Sequence, residues 1–264
     1  MHYSKKVELD VQDALARFDS PGYIKAKRLF TKISPFNSYR LKIMENLLKR
    51  KGDLGRLLDI GCNIGPLAAC YGQYAKKTFL CDLNHFIVKS ARLANKGMQN
   101  ASFACANILS LPFADNTFDT VVSLETIEHV NKGMQTQVFD EILRVAKPGA
   151  IIYISTPNRF SLAGAEGKLI EAFVKGYTWD AWDTDHKYIY SALRFESFLK
   201  GHKTRVKLLK VMGSYFLPGS LVVRLPLPVQ KLLGYFSYLI GKFLGHLFPF
   251  KYTGFTVTAI LEKT

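Results

Sequence analysis

"LLDIGCNIGPLAACYG", residues 57–72, runs from an apolar stretch through an acid into a glycine-spaced turn, then into a helix-like segment. A strand, a tight turn and a helix in that order open a nucleotide-binding α/β unit. Glycine spacing decides which nucleotide. A dinucleotide fingerprint needs G-x-G-x-x-G, but counted from Gly61 those places hold Gly61, Asn63 and Pro66, so two of the three fail. No Gly-Lys-Ser or Gly-Lys-Thr follows, which excludes a phosphate-cradling loop. What stands here is Asp59-x-Gly61-x-Asn63-x-Gly65. An acid within the turn repels a pyrophosphate and favours an amine or a sulfonium. Pro66 suits the first position of the helix that follows.

The surrounding sequence repeats the unit. "RLLDI" (56–60), "KTFLCD" (77–82), "ASFACAN" (101–107), "FDTVVS" (118–123) and "AIIYIST" (150–156) are apolar, β-branched or aromatic runs that read as strands. Helix-like segments alternate with them at 65–75, 84–97 and 135–149. Asn84 suits an N-cap and Gly97 a C-terminal stop. Val138, Ile142, Leu143 and Val145 recur at helical spacing, and Pro148-Gly149 closes that helix. Repeated strand–helix alternation predicts a doubly wound α/β fold, a parallel sheet with helices on both faces. Residues 205–212 and 254–262 read as a final pair of strands. The expected organisation is an N-terminal helical cap (1–50), with a helix in "NSYRLKIMENLLKRKG" after a turn at Ser34-Pro35, and a core (51–212). An amphipathic helical insertion (213–250) and a final core strand (251–264) follow.

Composition fits a folded chain: of 264 residues, 48% are hydrophobic and 22% charged. The four cysteines, Cys62, Cys70, Cys81 and Cys105, have neither CxxC nor Cys/His zinc spacing, so buried reduced thiols are expected. The N-terminal stretch shows no apolar signal region, and a cytoplasmic protein is expected. The net charge of +15 divides unevenly. Residues 1–55 hold 12 Lys/Arg against 6 Asp/Glu, residues 56–160 hold 10 against 8, and residues 161–264 hold 14 against 7, giving +6, +2 and +7. The excess sits in the flanks, either as a solvated surface kept soluble by charge or as an attraction to something anionic, whether phospholipid, nucleic acid or a phosphorylated substrate.

Taken together the motifs resemble the class I S-adenosylmethionine-dependent methyltransferases, and among them the type 11 group containing the ubiquinone-biosynthesis O-methyltransferases. "LLDIGCNIGPLA" resembles that family's first motif and "FLCDLNHFIVKSA" its second. "ILSLPFADNTFDTVVSLETIEHV" and "ILRVAKPGAIIYISTPN" resemble the segments around the fourth and fifth strands. The match runs over about residues 40–160 and more loosely over "DHKYIYSALRFESFLKG" (185–201). It implies a Rossmann-like sheet of seven mostly parallel strands, with the helical insertion before the last strand. It also implies S-adenosylmethionine as cofactor, held by Asp59, Gly61, Cys62, Asn63 and Gly65 of the first motif and by Asp82 and Leu83 of the second. Asn107 and Ile108 after the third strand and Ser123 on the fourth complete the implied set. Asp82, 17 residues past Gly65, can accept both ribose hydroxyl protons. Two places depart from the family pattern: Asn63 replaces a glycine, and Asn107 replaces an aspartate that meets the adenine amine.

Glu125, Glu128 and His129, at i, i+3 and i+4, would share one face of a helical turn. Two carboxylates and an imidazole so placed can ligate a divalent cation such as Mg²⁺, as the similar E-x-x-E-H of the quinone-pathway relatives does. The alternative is that His129, with Glu128 beside it, acts as a base or positions the acceptor without metal. His186 is a further candidate, and Trp179, Trp182 and Tyr188 could line an aromatic acceptor pocket. No NPPY-type tetrad is present, so methylation of base amino groups is not expected, and no added RNA-binding module is visible. The expected acceptor is a small or lipid-like molecule, methylated at a hydroxyl oxygen. N- or C-methylation of a sugar or polyketide, and a non-catalytic methyltransferase-like regulatory partner, stay open.

"PVQKLLGYFSYLIGKFLGHLFPF" (228–250) places Val229, Leu232, Leu233, Phe236, Leu239, Ile240, Phe243, Leu244 and Leu247 on one stripe, with Gly234, Gly241 and Gly245 off it. Its longest uncharged run, Leu232 to Gly241, is 10 residues, about half of what a bilayer span requires. Such a stripe can pack on its own domain as a lid, form a homodimer contact, or lie in the interface of an anionic membrane on the inner surface.

Overall fold

The computed structural model describes residues 35–176, 185–217, 222 and 225–264. Strands β1 (Gly55–Ile60), β2 (Ala75–Asp82), β3 (Ala101–Cys105), β4 (Phe118–Leu124), β5 (Ala146–Pro157), β6 (Val206–Ser214) and β7 (Thr256–Lys263) form one sheet in the order 3-2-1-4-5-7-6. Every neighbouring pair is parallel except those made by β7, which runs antiparallel to both β5 and β6. The described helices are α1 (Pro35–Lys51), α2 (Ala68–Tyr74), α3 (His85–Ala94), α4 (Gln135–Val145), α5 (Leu162–Phe173), α6 (Ala192–Lys200), α7 (Leu227–Phe243) and α8 (Phe250–Thr253). This is the doubly wound sheet that the alternation predicts. The first 34 residues of the expected N-terminal cap, and Trp179 and Trp182, lie outside the described residues.

The core forms where central strands are apolar on both faces. Leu57, Leu58, Val121, Val122, Ile152 and Ile154 are wholly buried, as parallel strands between two helical layers must be. Helix α3 presents Ile87, Val88 and Ala91 to the sheet, and α4 presents Val138, Phe139, Ile142 and Leu143. Asn84 caps α3 as expected, its Oδ1 accepting from the Phe86 and Ile87 amides at 2.8 and 3.2 Å. The helix stops at Ala94, with Asn95 as its C-cap, three residues before the expected Gly97.

Three local expectations are corrected. Pro66 lies in the turn, outside α2, because the Gly65 carbonyl accepts from the Ala68 amide and the helix begins there. Pro148-Gly149 does not close α4, which ends at Val145. Both fall inside β5, where the pairing with β4 slips between Phe118 and Thr120 and Gly149 takes φ +76°.

The third correction concerns the insertion between β6 and β7. Helix α7 packs on α1 and β6, but through Gly234, Ser237, Tyr238 and Gly241. Small residues permit a close approach: a Cβ on Gly241 would stand 2.8 Å from Ile43 Cδ1, and one on the following Gly245 would stand 2.4 Å from the Gly213 carbonyl oxygen. The Ser237 hydroxyl accepts from the Phe216 amide at 3.0 Å, and the Tyr238 hydroxyl accepts from Asn46 Nδ2 at 2.7 Å. Val229, Leu232, Phe236, Phe243, Leu244 and Leu247 consequently face outward. Of the predicted stripe, only Leu233, Leu239 and Ile240 are half-buried.

Candidate active site at the carboxyl end of the sheet

Strands β1, β2 and β4 deliver their carboxyl ends to one place. Asp59 is buried next to the end of β1, and the chain then turns through Gly61 and Gly65, both at φ +69°. Asn63 takes φ +51°, a left-handed geometry that asparagine tolerates better than most residues, and its Oδ1 accepts from the Ile64 amide at 2.8 Å. The departure from glycine is accommodated in the backbone itself. At the end of β2, Asp82 faces this turn: Oδ2 accepts from the Asn63 amide at 3.0 Å and Oδ1 from the Asn84 amide at 3.2 Å. Burial holds the Asp59 carboxyl up at about 8, the nearby Tyr71 hydroxyl pulls it down, and the Asp82 charge adds to the rise.

Cys62 is buried and its amide donates to the Cys81 carbonyl at 2.9 Å. Burial pushes its thiol well above the usual range, which marks a packing residue rather than a nucleophile. Leu83 is half-buried in the β2–α3 turn. After β3, the Asn107 side-chain oxygen accepts from the Leu109 amide at 2.9 Å, so part of its accepting capacity shapes the loop. Ile108 packs against the main core cluster. Ser123 sits in β4 opposite Ile60 and Ile154, wholly buried, which removes its side chain from any open pocket.

Beyond β4 the expected Glu125–Glu128–His129 face does not form. Glu125 takes φ +53°, which breaks the helical path before the single 3₁₀ turn Ile127–His129. Its amide donates to the Ser155 carbonyl at 3.1 Å, and its Oε1 accepts from the Ser155 hydroxyl at 2.8 Å, so it is drawn toward β5. His186 takes the third place instead. Glu128, His129 and His186 bring ligating atoms within 4.8 Å of one another, with Glu128 wholly buried. His186 Nε2 lies 3.9 Å from Glu128 Oε1, and the two imidazole rings stand 4.8 Å apart. The loop is held by Glu128 itself, whose carbonyl accepts from the Lys187 and Tyr188 amides at 2.8 and 3.1 Å. Tyr188 packs edge-on against Tyr190, 4.9 Å between ring centres.

Thr126 escaped the sequence reading. Its hydroxyl donates within 3.2 Å of the Ile60 carbonyl, and a Cβ on Gly61 would stand 2.4 Å from that hydroxyl oxygen. Thr126 therefore clasps the β4 loop to the β1 turn. No local sequence pattern announces such a contact, since 65 positions separate Gly61 from Thr126.

A family model described as a methyltransferase domain matches residues 58–154, the segment that builds both the turn and the β4 loop. Residues 58–154 thus carry a methyltransferase domain of the class I S-adenosylmethionine-dependent kind. It is 35% identical over 36% of its length to a 24-methylenesterol C-methyltransferase of Arabidopsis thaliana, a match that spans only 27% of that protein. A ubiquinone biosynthesis O-methyltransferase of Parvibaculum lavamentivorans is 29% identical over 42% of this chain and 46% of its own length. An uncharacterized protein of Methanocaldococcus jannaschii is 27% identical over 92% of this chain and 93% of itself.

Proposed function

We propose that this protein transfers the methyl group of S-adenosylmethionine to a hydroxyl oxygen of a small, lipid-like acceptor. The observation that carries the reading is the juxtaposition, at one end of the sheet, of a doubly acidic turn with the Glu128–His129–His186 cluster. The donor set of the turn fits the cofactor. Asp59 and Asp82 are its acidic groups, with Asp59 keeping its proton up to about pH 8 in the cofactor-free protein. No Lys or Arg occurs between residues 57 and 75, which suits a sulfonium and a ribose diol and disfavours a phosphate. When bound, the cofactor supplies a methyl carbon on a good leaving group.

The chain's own task is then to hold the acceptor in line and exclude water. A ring nitrogen of His129 would take the hydroxyl proton, and the buried Glu128 carboxylate would stabilise the imidazolium so formed. The relatives' activities, on a sterol carbon and in ubiquinone biosynthesis, support a lipid-like acceptor and leave the accepting atom to experiment. The test is incubation with methyl-labelled S-adenosylmethionine and a cell extract fractionated into lipid and aqueous phases. Label in the lipid phase at an ether oxygen is expected. Label on a nitrogen or carbon, or only in the aqueous phase, points to N- or C-methylation or to a polar acceptor. Tight S-adenosylhomocysteine binding without any transfer points to a regulatory partner.

A second reading concerns metal. With Glu125 turned away, the candidate ligands are Glu128, His129 and His186, one carboxylate and two imidazoles. That set suits a transition metal better than Mg²⁺. It would orient an acceptor oxygen and lower its pKa. Loss of turnover on chelation, restored by one divalent ion and not others, supports this reading, and indifference to chelator leaves His129 as the base.

A further inference from the structure

Helices α5 and α7 share a feature that neither the turn nor the cluster explains. Both bury their glycines, α7 with Ser237 and Tyr238 beside them, and turn large apolar side chains to solvent. In α5 the buried positions are Ala163, Gly164 and Gly167, while Phe160, Leu162, Leu169 and Phe173 are exposed, Phe173 by 82%. In and after α7 the outward positions are Val229, Leu232, Phe236, Phe243, Leu247 and Phe248, the last also exposed by 82%. The two patches leave the sheet at the same end. Helix α5 follows the carboxyl end of β5 and the insertion follows the carboxyl end of β6, the edge that also carries the acidic turn. Ala163, at the start of α5, packs with Tyr215 and Phe255, the residues that flank the insertion.

We infer that this double apolar face docks the protein on an anionic lipid surface. Charge selects that occupant. The insertion, residues 216–254, carries four Lys/Arg and no Asp or Glu, and Lys231 and Lys242 are exposed beside the α7 stripe. A second copy docked through α7 is a poorer fit, because a two-fold contact sets its stripe against itself and opposes Lys231 and Lys242 with lysines. Basic side chains beside apolar anchors are what acidic headgroups over acyl chains bind. The inference deepens the proposed lipid-like acceptor, which rests on the reading above. Vesicle binding is measured without turnover, so either can fail alone.

The experiment is flotation of the full chain with phosphatidylcholine vesicles, with and without phosphatidylserine, at low and high salt. Wild type should float with the anionic vesicles at low salt and lose about tenfold in bound fraction at high salt or with neutral vesicles. F236E/F243E should lose at least as much while binding S-adenosylhomocysteine like wild type. Should that variant fail to fold, the exposed pair K231E/K242E tests the electrostatic half on an intact apolar face. Wild type left in the bottom fraction with both vesicle types overturns the inference. So does a dimer, seen by sedimentation, that F236E/F243E converts to monomer.

Discussion

Helices α3 and α4 and helices α5 and α7 all lie against the same sheet, yet they bury opposite kinds of residue. The first pair put Ile87, Val88, Val138, Phe139 and Ile142 inside. The second pair put Gly164, Gly167, Gly234 and Gly241 inside and Phe173, Phe236 and Phe243 outside. Apolar periodicity therefore reports that a helix has two faces, and not which one meets the core. Proximity of backbones decides that. At the tightest points, Gly164 against the Arg159 carbonyl and Gly241 against Ile43, only a residue without a side chain fits.

The sharpest way to break this contrast is to shrink a side chain of the first pair. Phe139→Ala should cost about 3–5 kcal/mol in denaturant unfolding, since Phe139 is wholly buried in the main cluster. Enlarging the second pair should hurt instead. Gly245→Ala places a Cβ against the Gly213 carbonyl and should cost about 1–3 kcal/mol. Asp82→Ala probes the turn both against its own backbone and as a ligand. Calorimetry should show S-adenosylhomocysteine binding weakened by about 1–3 kcal/mol, and equal affinity would remove Asp82 from the site.

Asp59 brings a pH dependence of definite sign. Its folded carboxyl is held near 8, above the unfolded value of 3.8, so the folded state binds the extra proton between those limits. Unfolding free energy of the cofactor-free protein should therefore fall as pH rises from about 4 to about 8 and level off above. Asp59→Asn should flatten that slope, and an unchanged profile would show that Asp59 titrates elsewhere. The smallest effect belongs to the outward stripe: Phe236→Ser should move stability by no more than about 0.5 kcal/mol. A larger loss would mean that Phe236 is covered within the folded chain.

The strands, the acidic turn and the second acid could be read because each depends on neighbours close in sequence. Asp59, Gly61 and Gly65 are set by a turn, and Asp82 by the end of a strand. What could not be read depended on the third dimension. Glu125 leaves its expected face because its own backbone adopts a left-handed conformation and Ser155 captures its carboxylate. His186 joins Glu128 across 58 positions, through amides of the intervening loop that no periodicity marks. Ser123 has the right address but a buried side chain, because alternation along β4 points it into the sheet.

The insertion enters and leaves through a single closed gate. The Phe255 amide donates to the Tyr215 carbonyl at 2.7 Å, and β6 and β7 pair below them from Ser214 and Thr256 onward, with one irregularity between Leu208 and Lys210. The insertion thus leaves and rejoins the hairpin at adjacent points, and between them α7 packs back on α1 and β6. Such an attachment is modular: an ancestral chain could gain or lose the whole segment in one event while the sheet's hydrogen bonds stayed in register. A short turn spliced between Tyr215 and Phe255 should consequently separate the catalytic scaffold from whatever address the segment confers, and would let the same scaffold be sent elsewhere.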